Sequence, residues 1–485
     1  MKHQVHSRRA VLRACGAAGL LLTTSLLAAC GVGGAANVAP APATSNVTSS
    51  AAPQAVASTA QSSVATVTQS SAAAKAPASG QTVIRTAHSW DAVFWKTQQA
   101  FDTNFMKEHP DIKIEADNVP WGQHVTKFST ELAGNAAPDV QYCQFADARH
   151  FIYEGAFINE QPYMNKNAEF SLDNFTQVSL PTYRYKGDIY IVPYDTGPLI
   201  IFYNVDMFNK FGVPLPKTDW TFDDMLAAAV KLTQGTGVNQ TWGYEGSPGN
   251  FGGEANTNYT MPFGARFLDK DEVTFMADTS EAATALQWWA DLRLKSKVNP
   301  TPADTKVVAG DPFAFNKTAM MYSGSWSVPW LHEQAKFQYD VAPFPAGPKK
   351  HVTAAEGSGY GITKDSKDRD AAWTYQSAYL GEKGVEFMWG ETGRGSPARK
   401  AAWQSYFKSP LAPKSAKLIY DALLTYGDGA DVIQSPNGAE ISRVAGQSWD
   451  LVLLGQMGAK DALSRIGTEL GPVLEKNKPY VGLLG

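Results

Sequence analysis

The sequence predicts an α/β protein of two lobes, and three observations carry that expectation. From Gln81 onward, apolar segments alternate between strand-like and helix-like spacing in strand, helix, strand order. The stretch from residue 81 to residue 485 is too long for one small sheet and long enough for two cores. Once the expected N-terminal signal is removed, the remaining cysteines are Cys30 and Cys143, so burial rather than a disulfide framework must hold the fold.

The elements follow in chain order. Ser7-Arg8-Arg9 precedes an apolar run from Ala14 to Ala29, which ends in Leu27-Ala28-Ala29-Cys30. That run is shorter than the roughly 20 residues a bilayer-spanning helix needs. All its positive charge lies upstream, as in a removed export signal. The pattern resembles the bacterial lipoprotein signal: residues 1–29 would be cleaved and Cys30 lipidated, with the acyl chains anchoring the protein to a membrane surface. Arg8-Arg9 also resembles the twin-arginine export motif, with Val11 where that motif usually has Phe, so the export route stays open. Residues 31–80 consist almost wholly of small and polar residues with Lys75 as the only charge and no aromatic. Such a segment cannot bury enough apolar surface to offset its ordering entropy, and it reads as a flexible tether covering 30–80.

Structure is expected to begin near Gln81. Thr82–Ala87 reads as a strand, followed by the loop His88-Ser89-Trp90-Asp91 and a helix with Phe94, Phe101 and Phe105 on one face. Ile112, Ile114 and Ala116 alternate as a strand. A helix from about His124 stops at Gly134-Asn135, and Asp139–Tyr142 forms the next strand. Farther on, Leu199–Tyr203 is a short apolar run. Thr221 with Asp224 opens a helix in a near capping box. Asp278 with Glu281 is read the same way, ahead of a helix carrying Trp288 and Trp289. Asp370 opens a helix through Trp373 that Gly381 closes.

The charge balance and motif content narrow the function. Removing residues 1–29 leaves 38 basic against 46 acidic residues. A mildly acidic chain is a poor partner for nucleic acid, which is bound largely by Lys and Arg neutralising phosphates. No nucleophile elbow and no phosphate-cradling glycine loop occurs. Gly357-Ser358-Gly359-Tyr360-Gly361 lacks the last glycine of a dinucleotide fingerprint and precedes Ile362-Thr363-Lys364 rather than a helix. The histidines beyond the signal, His88, His109, His124, His150, His332 and His351, show no metal-ligand spacing. No cofactor and no metal is expected, and the chain reads as a binding protein rather than an enzyme. Its 13 Trp and 19 Tyr include several in loops beside polar residues: Trp90, Tyr194 next to Asp195, Trp326 and Tyr360. A flat aromatic ring suits the C–H face of a sugar, and carboxylates and amides suit its hydroxyls. Trp288, Trp289 and Trp373, at helical positions, read as core.

At this point the chain resembles the extracellular solute-binding proteins of ABC importers, in the group that binds sugars and oligosaccharides. The matching segments run in order from Pro138-Asp139-Val140 through Tyr203-Asn204, Asp206-Met207-Phe208, Trp220 and Phe315–Met321 into Gly324-Ser325-Trp326. Pro343–Pro348, Gly359–Ile362 and Gly393–Ala398 complete the set. The resemblance implies a two-lobe periplasmic-binding-protein-like fold of type II, its discontinuous lobes joined by crossing strands near Tyr194–Leu199, Ala355–Gly359 and Leu424–Ser435. One lobe would comprise 81–195 plus 359–425, the other 197–357 plus 435–485.

The resemblance also implies the site. Ligand contacts would fall on Trp90, Gln144, Asp147, Tyr194, Asp195, Trp326, Ser358 and Tyr360, with Trp90 and Trp326 stacking on sugar faces and Asp147 and Asp195 accepting hydroxyl hydrogen bonds. Glu254 and Asn256 would sit at the rim, and Arg394 is read as capping a helix. The implied function is an extracytoplasmic, monomeric carbohydrate receptor, lipid-anchored through Cys30, that delivers its ligand to an ABC importer permease. Two other readings stay open here: the same fold binding glycerol phosphate, a polyamine or a metal chelate, and a secreted glycan-degrading enzyme with paired carboxylates.

Overall fold

The first sheet begins with β1 (Thr82–His88), whose buried Ile84, Thr86 and Ala87 start the core. The computed structural model describes residues 80–246, 256–306, 308, 310–428 and 433–482, which lie in one compact unit. The expected signal, Cys30, the tether to residue 79, Glu254 and residues 429–432 of the expected third crossing lie outside the described residues. Helix α1 (Ala92–Glu108) follows β1 and is opened by Asp91, whose carboxylate accepts the Phe94 N–H. β2 (Ile112–Asn118) pairs with β1 in parallel, Ile84 opposite Ile114. After α2 (His124–Ala133), which stops at Gly134, β3 (Val140–Gln144) takes the other edge of β1, also in parallel. Helix α3 (Phe145–Tyr153) follows directly.

The chain then reaches β4 (Val192–Pro198) and, after Leu199 alone, β5 (Ile200–Asn204). β5 is the centre of a second sheet. It lies between β6 (Met320–Ser323) and β7 (Tyr339–Pro343), antiparallel to both. Between β5 and β6 the longest helices among the described residues are α4 (Phe222–Leu232) and α5 (Ser280–Leu294), and α6 (Val328–Gln334) joins β6 to β7. β8 (Thr353–Ile362) then returns to the first sheet, antiparallel to β3 along Ser358–Ile362 and to β4 along Ala355–Tyr360. Helices α7 (Arg369–Leu380), α8 (Glu382–Thr392), α9 (Trp403–Lys408) and α10 (Lys417–Tyr426) follow. The short β9 (Gly427–Asp428) pairs with the start of β8, and α11 (Gly438–Leu453) and α12 (Ala459–Glu475) end the fold.

Each sheet has its own core. Phe94, Phe105, Tyr360, Tyr375, Tyr379 and Trp389 fill one face of the first. Phe222, Met225, Trp289, Phe344, Trp449 and Ile466 fill one face of the second. Full burial of side chains this large contributes roughly 1.5–3 kcal/mol each. Trp289 is buried, while Trp288 and Trp373 are half-buried and pack against these cores. A third cluster joins Ile200, Phe202 and Val341 of the second sheet to Trp403, Tyr406, Ile419 and Leu423. Through this cluster α9 and α10 pack on the second sheet, while α10 also meets β4 and β8 and α9 meets α8.

Local signals behave unevenly. Thr221 and Asp224 form both arms of the capping box of α4. Thr279, not Asp278, caps α5, its hydroxyl accepting the Ala282 N–H. Helix α7 opens at Arg369, one residue before Asp370. Gly381 ends α7 with φ of −66° rather than in the left-handed region, because it is also the N-cap of α8.

Candidate functional site

Where the strands of both sheets approach each other, a cavity of about 570 Å³ opens. It is lined by Trp90 after β1, Gln144 and Phe145 after β3, Asp195 and Gly197 of β4, Trp326 after β6, Glu356 to Ser358 of β8, and Arg394 to Ser396 after α8. The loops after β1 and β3 stand at the C-terminal ends of parallel strands, the usual ligand-facing edge of an open α/β sheet.

The polar centre is built on adjacent strands. Asp195 lies opposite Ser358 in the ladder and accepts from its N–H at 2.6 Å and its hydroxyl at 2.7 Å. The other carboxylate oxygen of Asp195 faces Arg394 Nη2 at 3.3 Å, with both side chains about nine-tenths buried. Arg394 is carried there by Gly393, which ends α8 in the left-handed conformation at φ 65° and returns its N–H to Trp389 O at 3.0 Å. Beyond it, Thr196 N–H donates to Ser396 O and Trp389 Nε1 donates to Gly395 O, so the segment is fastened along β4. Ser396 is a non-glycine residue at φ 71°, a costly conformation held by these bonds and by its hydroxyl contact with Ser325 at 2.8 Å. A Cβ at Gly197 would lie 2.2 Å from Ser396 Oγ, so only glycine allows the strand and loop to approach this closely.

The aromatic walls differ in what they offer. Trp90 is buried, with the Arg394 guanidinium 5.0 Å from its ring centre and Phe94, Tyr142 and Tyr194 around it. Its faces are thus largely taken by protein, while its Nε1–H is buried with no hydrogen-bond partner among the described residues. Trp90 therefore offers a donor edge rather than the stacking face expected of it. Trp326 and Trp330 are half-buried and line the cavity, and Trp121, 55% exposed, lines it too, beside His124 and Tyr142. Burial also pushes the Tyr142 hydroxyl well above its ordinary range, with the Asp195 charge adding to the shift, so it stays protonated.

Of the expected contacts, the cavity brings together Trp90, Gln144, Asp195, Trp326 and Ser358. It does not bring in Tyr194 or Tyr360. Both are fully buried, Tyr194 bonded to the Tyr379 hydroxyl at 2.8 Å and Tyr360 to His88 Nδ1 at 2.6 Å. Burial pushes the His88 imidazole down to about 3, so it sits neutral behind the site. Asp147 is in the first turn of α3, 3.8 Å from His124, outside the lining. Asn256 is fully buried rather than at a rim. Arg394 enters the cavity instead of capping a helix. Glu356, Trp121 and Trp330 are lining residues that sequence reasoning missed. Trp330 and Trp121 carried a usable signal, since both are aromatics close to polar loop residues. Among the described residues no group of three His, Cys, Asp or Glu side chains could hold a metal ion.

Comparison with known proteins agrees with this architecture. A putative binding protein of Brucella abortus is 26% identical over 309 residues, covering 60% of this chain and 69% of the relative. The erythritol/L-threitol-binding protein of Mycolicibacterium smegmatis is 22% identical over 500 residues, 96% of this chain and 95% of its own. The structure of an ABC substrate-binding protein of Listeria monocytogenes in complex with cycloalternan superposes with a TM-score of 0.73 at 23% identity, covering 81% of this chain and 99% of that one. That likeness gives the fold: two α/β lobes of the periplasmic binding type. Residues 87–386 match the family description, well over half the chain, and the protein is thereby a member of the bacterial extracellular solute-binding proteins.

Proposed function

We propose that this protein is the carbohydrate receptor of an ABC importer, holding a sugar in the cavity between its two sheets and passing it to a membrane permease. The observation that carries the reading is the make-up of the cavity: half-buried tryptophan faces beside directed polar groups, with its arginine already held by Asp195. In this cavity a phosphorylated solute would call for an uncompensated cation, and Arg394, the arginine of its lining, is compensated. Relatives described as binding erythritol or L-threitol and cycloalternan support a hydroxyl-rich ligand. The lobes of the working molecule are taken to divide at β4 and β8. Ligand contacting both lobes stabilises their closed arrangement by its differential affinity for it. Anchoring through lipidated Cys30 belongs to the same proposal, since it keeps the receptor near its permease.

The test is calorimetric titration against polyols, monosaccharides and oligosaccharides. Binding of at least one of these is expected. Failure of all of them, together with clear binding of a polyamine or a phosphate ester, sinks the carbohydrate reading. For the anchor, Cys30→Ser should move the protein from the membrane fraction to the soluble one.

A further inference from the structure

A second cavity, of about 510 Å³, lies against the first. The two share Trp326 and Trp330, which line both. On its far side the second cavity is bounded by Glu245, Arg293 and Asn299 and by the short helix Pro302–Thr305. The shared wall is a built feature. A Cβ at Gly324 would lie 2.0 Å from the Trp326 ring, so glycine lets that ring fold back over the end of its own strand. The turn that carries it is closed by the Ser323 and Ser327 hydroxyls at 2.7 Å.

The polar lining of the second cavity is only partly used by the protein. Arg293 Nε is buried with no hydrogen-bond partner among the described residues. The Glu245 carboxylate accepts from Thr318 Oγ1 at 2.9 Å. Asn299 is buried and donates to Gly246 O. Buried polar groups that are not fully paired are costly unless a ligand or water completes them.

We infer that the binding site continues past Trp326 and Trp330 into this second cavity, and that its ligand is an oligosaccharide rather than a single sugar. The inference rests on the carbohydrate reading above. A cavity of roughly 300–1,000 Å³ holds a drug-sized molecule, about the size of a disaccharide. The first cavity takes that much by itself. The second extends the path by a comparable length, with the two tryptophans as the platform between consecutive sugar rings and the Glu245, Arg293 and Asn299 side chains meeting hydroxyls beyond it.

Titration of homologous saccharides of one to four units, drawn from whichever polymer series binds, tests this. Affinity should rise about tenfold or more from the second unit to the third. Thr305→Trp fills the second cavity from its rim without disturbing either core. It should remove that rise and leave disaccharide affinity within about threefold. Asn299→Ala should act in the same direction. A trisaccharide that binds no better than the disaccharide overturns the inference, as do variants that weaken both equally, while the receptor reading stands. Absence of binding at every length overturns the receptor reading itself and this extension with it.

Discussion

At the residue scale, the site turns on one buried ion pair and on the tryptophan faces beside it. Asp195 compensates Arg394 where both side chains are about nine-tenths buried. Removing one partner strands the other, so Asp195→Asn should destabilise the fold by about 3–5 kcal/mol in denaturant titrations, and Asp195→Asn with Arg394→Leu should recover most of that loss. Trp326→Ala should weaken the bound sugar by roughly 1–3 kcal/mol in calorimetry with the melting curve little changed. Sequence reasoning picked the residue types well and misjudged depth. Tyr360 lies two residues along β8 from Ser358, far enough into the sheet for Tyr194 and Tyr379 to enclose it. The pairs Ser358 with Asp195 and Gly359 with Pro193 leave Tyr194 as the extra residue of a bulge, so a simple alternation could not say where it and its neighbour point. Arg394 was misread because a cation just after a helix usually serves the helix end, and only the left-handed turn at Gly393 redirects it.

At the element scale, most helices and strands were legible because their apolar periods and punctuation agree with their packing. Helix α4 is the clearest, with capping box, apolar face and C-terminal stop all consistent. What α9 and α10 pack against was not legible. An amphipathic helix declares that it has a buried face, and nothing in Trp403 or Leu423 says which sheet will cover it. Helix α1 carries a buried carboxyl with a pH consequence. Asp102 accepts from Gln98 Nε2 at 2.9 Å and Tyr375 Oη at 2.7 Å, both at one oxygen. Burial pushes its pKa from 3.8 up to about 6, against the pull of those two donors. Since the folded pKa is the higher one, this group's contribution to stability is present below about pH 4 and is lost as pH rises through about 6. Asp102→Asn keeps the accepting oxygen and removes the titration. The variant should be more stable than the parent at pH 8 by up to about 3 kcal/mol and equal to it near pH 4, read from urea midpoints across that range.

At the scale of the whole molecule, the cavity exists only where two sheets meet, so a ligand that fills it ties them together. Saturating sugar at about 100 times its dissociation constant should stabilise the native state by about 2.7 kcal/mol, seen as a raised denaturation midpoint. Trp326→Ala should need a proportionally higher sugar concentration for the same rise. The two-lobe organisation was legible from chain length and from the strand–helix alternation. Long-range pairing, as of Ser358 with Gln144, leaves no periodic trace in either partner.

The position of β8 in the chain has a consequence for the order of assembly. β8 lies between β3 and β4 and is needed to complete the first sheet, yet it is made more than 200 residues after β3. Until residue 362 has emerged, Tyr142 and Tyr194 lack the strand that joins them, and the N-terminal half of the chain cannot reach its native state. Contacts so distant along the chain form slowly. Completion of the first sheet therefore waits for a strand made late in synthesis, whereas the three strands of the second sheet all precede it in the chain.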